Sequence, residues 1–348
     1  MMRKEYRRKL DLRSGRVELA HGAGGRAMVQ LIADLFQEPL DNEWLRQGND
    51  QAAFDVTGGR MVMTTDAYVI SPLFFPGGDI GSLAVHGTIN DVAMAGARPL
   101  YLSASFILEE GLPLSDLKRL ADSMGAASRG AGVPVVTGDT KVVERGKADG
   151  VFISTTGIGI VPPGIELSVR RVRPGDRLIV SGFLGDHGVA VMSKRHDLSF
   201  ETAIVSDSAP LHDLVAAMVA AAGNELHAMR DPTRGGIAAT LNEWAQQAGV
   251  GMRIREEAIP IRPEVAAACE LLGLDPLYVA NEGKLAAIVA PSAAEALLGI
   301  MRAHPLGRDA AMIGEVVADE HRFVQMTTDF GGDRIVDWLA GEQLPRIC

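Results

Sequence analysis

The break at Pro162-Pro163-Gly164 constrains this chain more than any other feature. Two consecutive prolines remove two backbone donors and fix two φ angles, so neither a helix nor a central strand runs through them. They fall near the middle of 348 residues, a length that suits two domains at about 150 residues each. Before the break, apolar spacing predicts helices over 26–36, 81–95 and 114–131. Extended segments are predicted over 60–65, 68–70, 133–137 and 151–161. After it, strands are predicted over 177–181, 251–255, 285–289, 311–316 and 322–326. Helices are predicted from 189 and over 208–222, 231–248, 263–272 and 293–303. Strands and helices mix without a strict βαβ period, so each half reads as an α+β sandwich rather than a doubly wound sheet. The expected organisation is a basic extension (1–20), an N-terminal α+β domain (21–162), a C-terminal α+β domain (163–330) and a flexible tail (331–348). That tail should be tethered by Trp338 and free beyond it.

Composition narrows the function. The net charge is −10, which argues against a nucleic-acid partner and means that a polyphosphate would have to arrive with a cation. No apolar run is long enough to span a membrane. The seven Lys and Arg residues before position 17 are followed by no apolar core of a signal peptide. Cys269 and Cys348 are the only cysteines, so there is no disulfide framework, and a reducing cytoplasm fits. Cys269 lies among alanines and reads as a small core residue. Cys348 ends the chain, where a thiol has nothing obvious to pack.

The residues that could carry chemistry cluster at element ends. Asp66, Asp91 and Asp139 stand beside glycine, threonine or asparagine at the ends of apolar segments, with Asp50 as a weaker fourth. Each aspartate alone reads first as a cap or a turn, but the three together equally suit Mg²⁺, which binds carboxylate oxygens when it bridges to phosphates. His21-Gly22-Ala23-Gly24-Gly25 and the stretch 182–188 are glycine-rich and lead into helices, as a phosphate cradle or a plain turn would. Asp231-Pro232 reads as an N-cap followed by Pro at N1. Lys141, two residues past Asp139, could meet a phosphate or move a proton, and Glu282 lies in a turn before a strand.

Five strings carry a resemblance. They are Gly78-Asp79-Ile80-Gly81-Ser82-Leu83-Ala84, the Asn90-Asp91 pair, Gly138-Asp139-Thr140-Lys141-Val142-Val143, Asp231-Pro232-Thr233-Arg234-Gly235-Gly236 and the terminal Pro345-Arg346-Ile347-Cys348. From about His21 to the end, the chain resembles the HypE family of hydrogenase expression/formation proteins, within the aminoimidazole-ribonucleotide-synthetase superfamily. The ending is the most specific of the five, and the basic extension lies outside the resemblance.

The resemblance implies a homodimer whose N-terminal sheets pair, with ATP and Mg²⁺ in a cleft beside them. It implies that a carbamoyltransferase of the HypF type loads Cys348, and that the thiocarboxamide is then dehydrated to a thiocyanate through phosphorylation of its oxygen. The cyano group would pass to iron on a scaffold-chaperone complex of the HypC–HypD type. Cys348, Lys141 and Glu282 become the expected catalytic residues. His21, Gly22, Gly24, Gly25, Asp66, Asp91, Thr137, Gly138 and Asp139 become the nucleotide-binding set, and Asp50, Asp66, Asp91 and Asp139 the metal ligands. Two alternatives stand beside this: another ATP-dependent superfamily member acting on a small amide, and a non-catalytic group carrier.

Overall fold

The computed structural model describes residues 10–22, 26–43, 45–47, 58–197, 204–338, 344 and 346–348. Gly24, Gly25 and Asp50 lie outside the described residues, as do residues 1–9 of the basic extension.

The first half runs α1 (Arg26–Leu31), β1 (Arg60–Tyr68), β2 (Phe74–Phe75), β3 (Gly78–Asp79), α2 (Ile80–Met94), β4 (Arg98–Glu109), α3 (Leu114–Ala131), β5 (Val135–Val143) and β6 (Val151–Val161). Helix α1 continues as a π turn over Ile32–Phe36. Four strands form a sheet in the order β1-β6-β4-β5, antiparallel except for the β4–β5 pair. Helix α2 starts where Asp79 and Ser82 form a capping box, and it is buried along almost its whole length against β1, β6 and α3. Helix α3 buries Leu114, Leu117, Leu120, Ala121 and Met124 at helical spacing and stops at Gly132, whose φ of 67° suits glycine.

The second half runs β7 (Arg177–Val180), α4 (Asp186–Arg195), α5 (His212–Ala222), β8 (Leu226–Arg230), α6 (Gly236–Ala248), β9 (Gly251–Arg255), α7 (Pro263–Leu272), β10 (Ala286–Val289), α8 (Pro291–Ala303), β11 (Ala311–Val317), β12 (Val324–Thr327) and β13 (Asp333–Ile335). Its seven-stranded sheet has the order β13-β12-β9-β11-β7-β10-β8. Leu178, Val180 and Ile288 pack under α6, while Ile179, Ala287 and Val289 pack under α5 and α8. The α+β expectation holds in both halves.

Four readings need correction. The twelve-residue β4 is not anticipated; it contains Pro99, yet Leu102, Ala104, Phe106 and Leu108 alternate as buried residues with Ser103 and Ser105 facing outward. The short strands β8 and β13 are also not anticipated. Helix α6 begins at Gly236, five residues after Asp231, so Asp231 is not its N-cap. The tail is tethered by β13 and by fully buried Val336, while Trp338 is 46% exposed. Beyond it the chain is not free throughout, because Arg346–Cys348 is docked against the first half.

Candidate active site

Strand register decides which candidates can meet. Across the first sheet, Asp66 pairs with Thr155, Thr155 with Ala104 and Ala104 with Gly138. Facing residues share a side, so Asp66 lies on the face covered by α2. Ser103, Ser105 and Ile107 pair with Thr137, Asp139 and Lys141, so these three lie on the opposite face. Strands β1 and β5 are also the two edges of the sheet, three spacings or about 14 Å apart. Within one chain, Asp139 therefore cannot share a cation with Asp66. Among the described residues, no group of three His, Cys, Asp or Glu is close enough to hold a metal ion. The expected four-aspartate site is not assembled in one chain, because alternate residues of a strand point to opposite faces.

On the outer face, Lys141 forms an exposed ion pair with Asp139 at 3.1 Å. Gly138 is required by packing, since a Cβ there would sit 2.2 Å from the Ala104 carbonyl. Met61 and Met63 are 51% and 72% exposed on this face among the described residues. His21 is buried in the turn Leu19–Gly22, and its Nδ1 accepts from the Glu18 amide at 3.0 Å. The stretch 182–188 is not an open phosphate cradle, because the amides of Gly185 and Gly188 donate to Asn281 Oδ1 (2.8 Å) and the Ala280 carbonyl (3.0 Å).

On the covered face, carboxylates converge from both domains. Asp91 accepts from Thr64 Oγ1 at 2.9 Å, and burial holds its pKa up. Asp231 is buried at the end of β8, and burial together with the neighbouring Asp91 pushes its pKa up to about 7. Glu282 is buried, and its Oε1 has no hydrogen-bond partner. Burial, then the charges of Asp231, Asp207, Asp66 and Asp91, raise its pKa well above the ordinary carboxylate range. The turn that presents it requires Gly283, where a Cβ would sit 1.8 Å from the Asp207 carbonyl. These acids repel one another, and Arg230 beside Asp91 and Asp231 offsets only part of that repulsion.

The chain terminus enters this cluster. Cys348 packs against the first-half core, and burial and then the Glu282 charge push its thiol up to about 12. Arg234, next to the paired glycines, is the cation that acts against that rise. The string Asp231–Gly236 carries the family resemblance, but its local pattern does not show that Asp231 is buried among acids. Cys269 is a core residue as expected, 1% exposed and with its thiol pushed up to about 11 by burial.

Residues 48–161 match the family model for the N-terminal domain of AIR synthase related proteins, and residues 173–327 match that for the C-terminal domain. The carbamoyl dehydratase HypE of Bradyrhizobium diazoefficiens is 72% identical over 99% of this chain and 100% of its own length. This chain belongs to the HypE family. The HypE carbamoyl dehydratase of Escherichia coli K12 is 48% identical over 95% of this chain and 99% of its own length. A crystal structure of the hydrogenase maturation protein HypE in complex with ATP superposes with a TM-score of 0.91 at 50% identity, covering 95% of this chain and 99% of that one. A HypE–HypF complex contains a chain 46% identical, with a TM-score of 0.78, covering 90% of this chain and all of that one. A thiamine-monophosphate-kinase-type complex, AaThiL with AMPPCP and TMP, is only 20% identical at a TM-score of 0.62 and shares the fold alone.

Proposed function

We propose that this HypE-family chain is an ATP-dependent carbamoyl dehydratase of [NiFe]-hydrogenase maturation, acting on its own terminus. The supporting observation is that Cys348 is docked against the first-half core, within reach of the charge of Glu282, whose buried Oε1 has no hydrogen-bond partner. The group dehydrated is a carbamoyl on Cys348 Sγ, delivered by a HypF-type carbamoyltransferase. In balance, the Cys348 thiocarboxamide and ATP give the Cys348 thiocyanate, ADP and phosphate. The carboxamide oxygen leaves with the phosphate, and both N–H protons are lost as the C≡N bond forms. Glu282 takes an N–H proton, a role suited to a carboxyl whose basicity burial has raised. Mg²⁺ would arrive bound to the phosphates of ATP and supply the positive charge they require, with the Asp91 and Asp231 carboxylates on the side it approaches.

Lys141 and Asp139 act from the outer face, so they reach a Glu282 cleft only through a second copy whose sheet pairs with this one. Such pairing also covers Met61 and Met63. The cyano group then passes to iron on a HypC–HypD-type complex in the cytoplasm, as the S–C bond breaks and the sulfur stays on Cys348. The test is mass spectrometry of Cys348 after loading by the carbamoyltransferase. With ATP the adduct should lose the mass of one water. No loss, or the same loss in Glu282→Ala, would overturn the reading.

A further inference from the structure

The docked terminus is held through its backbone and through the side chains of Arg346 and Ile347. The Val69 amide donates to the terminal carboxylate of Cys348 at 3.1 Å, and the Ser71 amide donates to the Arg346 carbonyl at 3.2 Å. Arg346 Nε returns a bond to the Val69 carbonyl at 2.9 Å, and its guanidinium also meets Asp149. The Ile347 side chain is 2% exposed in the first-half core. Two side chains of α4 complete the dock. Arg195 Nη2 donates to the Arg346 carbonyl (2.8 Å) and the Ser71 carbonyl (2.6 Å), tying tail to body through one group. His187, fully buried, is 2.8 Å from the Ile347 carbonyl through Nε2 and 2.8 Å from Ser206 Oγ through Nδ1.

The protonation at His187 follows from its partners. A carbonyl only accepts, so Nε2 carries the hydrogen. Burial keeps the ring neutral, so Nδ1 accepts from the Ser206 hydroxyl. Ser206 Oγ in turn accepts from the Ser208 amide at 3.1 Å. The whole chain of bonds thus points one donor at the tail, and Phe75 packs edge-on against the ring.

We infer that His187 and Arg195 are positioning residues forming a latch that reads the carbonyls of Arg346 and Ile347, and so seats the terminus whatever group Cys348 Sγ carries. None of the bonds named uses the sulfur. The same dock would accept the thiol, the carbamoylated and the cyanated tail, and would fix the reacting group by its distance from Ile347. Arg346 is held at φ +53°, a conformation that L residues adopt only when their surroundings impose it. The inference rests on Cys348 bearing the reacting group, but its test does not require that reaction.

The test is the alkylation rate of Cys348 by iodoacetamide in the full-length protein, with buried Cys269 as the internal reporter of an intact fold. Losing one buried hydrogen bond, with its acceptor left unpaired, corresponds to about a tenfold fall in the docked fraction. His187→Ala and Arg195→Met should therefore raise Cys348 labelling about tenfold while Cys269 stays unlabelled. Amide exchange at Val69 and Ser71 should quicken in parallel. His187→Gln, which keeps a donor toward Ile347, should recover most of the protection. Single-turnover dehydration should slow in the Ala and Met variants with ATP affinity unchanged. If a body variant labels Cys269, Ile347→Gly, which alters only the tail, decides the matter and should release the thiol equally. Wild-type labelling rates in the folded variants would overturn the latch. If the wild type shows the protection pattern but no dehydration, the proposed reaction fails and the latch stands.

Discussion

Asn90 Nδ2, on α2, donates to the backbone carbonyl of Glu282 at 2.9 Å, across the junction between the two domains. The same side chain donates to the Ala209 carbonyl (3.0 Å) and accepts from the Leu211 amide (2.7 Å). Asn90 is therefore the residue through which the N-terminal helix fixes where Glu282 stands. Asn90→Ala leaves three buried backbone groups unpaired, at roughly 1–3 kcal/mol for each group that water cannot reach. The expected outcome is a Tm lower by several degrees and slower dehydration, with Asn90→Asp recovering only the bond from Leu211. Calorimetry with single-turnover mass spectrometry checks both.

Asp231 sets a pH dependence. Folding raises its pKa from 3.8 to about 7, so between those values the folded chain holds more protons than the unfolded one. Stability therefore falls as pH rises through that window, and the raised pKa values of Asp91 and Glu282 act in the same direction. Asp231→Asn should flatten the Tm–pH curve between about 4 and 7 and raise Tm at alkaline pH. Mg²⁺ with ATP should restore wild-type Tm at alkaline pH and help the variant less. Identical curves for the two proteins would remove Asp231 from the cluster.

Lys141 and Glu282 should complement across copies. The Lys141–Asp139 pair is exposed, so Lys141→Ala should change Tm little, within the ~0–1 kcal/mol of a surface ion pair. Each single variant should slow dehydration by about 10²–10⁴-fold. In mixed dimers of Lys141→Ala with Glu282→Ala, one cleft per dimer regains both residues and activity returns in part. Native mass spectrometry of the mixture gives the dimer fraction, and product formation gives the activity. Absence of recovery would place Lys141 outside the reaction or show that it serves its own chain.

Cys348→Ala should abolish thiocyanate formation and leave Tm close to wild type, because the dock is made by Ile347 and backbone groups rather than by sulfur. With its pKa near 12, the docked thiol is a poor nucleophile at neutral pH, so carbamoyl loading should require the undocked tail. Adding ATP-free carbamoyltransferase and following Cys348 alkylation checks this: the partner should compete for the same exposed terminus.

The α+β class, most of the helices, the burial of Cys269 and the family to which the terminal Pro-Arg-Ile-Cys string points are legible in the chain's local pattern. These follow from local quantities: apolar period, glycine and proline punctuation, and a motif whose residues are contiguous. The sequence also singled out Asp66, Asp91 and Glu282, which the structure gathers into one acidic cluster with Asp231. That Asp139 and Lys141 lie on the opposite face follows only from pairing register, which passes through three pairings across four strands and is not set by neighbours in sequence. Only the tertiary structure showed Asp231 buried among acids, since Gly235 delays the helix that Asp231-Pro232 promised to open. It alone seated the terminus as well: His187 and Ile347 are separated by 160 residues, and no local pattern encodes a bond between a buried imidazole and a carbonyl that folding brings to it.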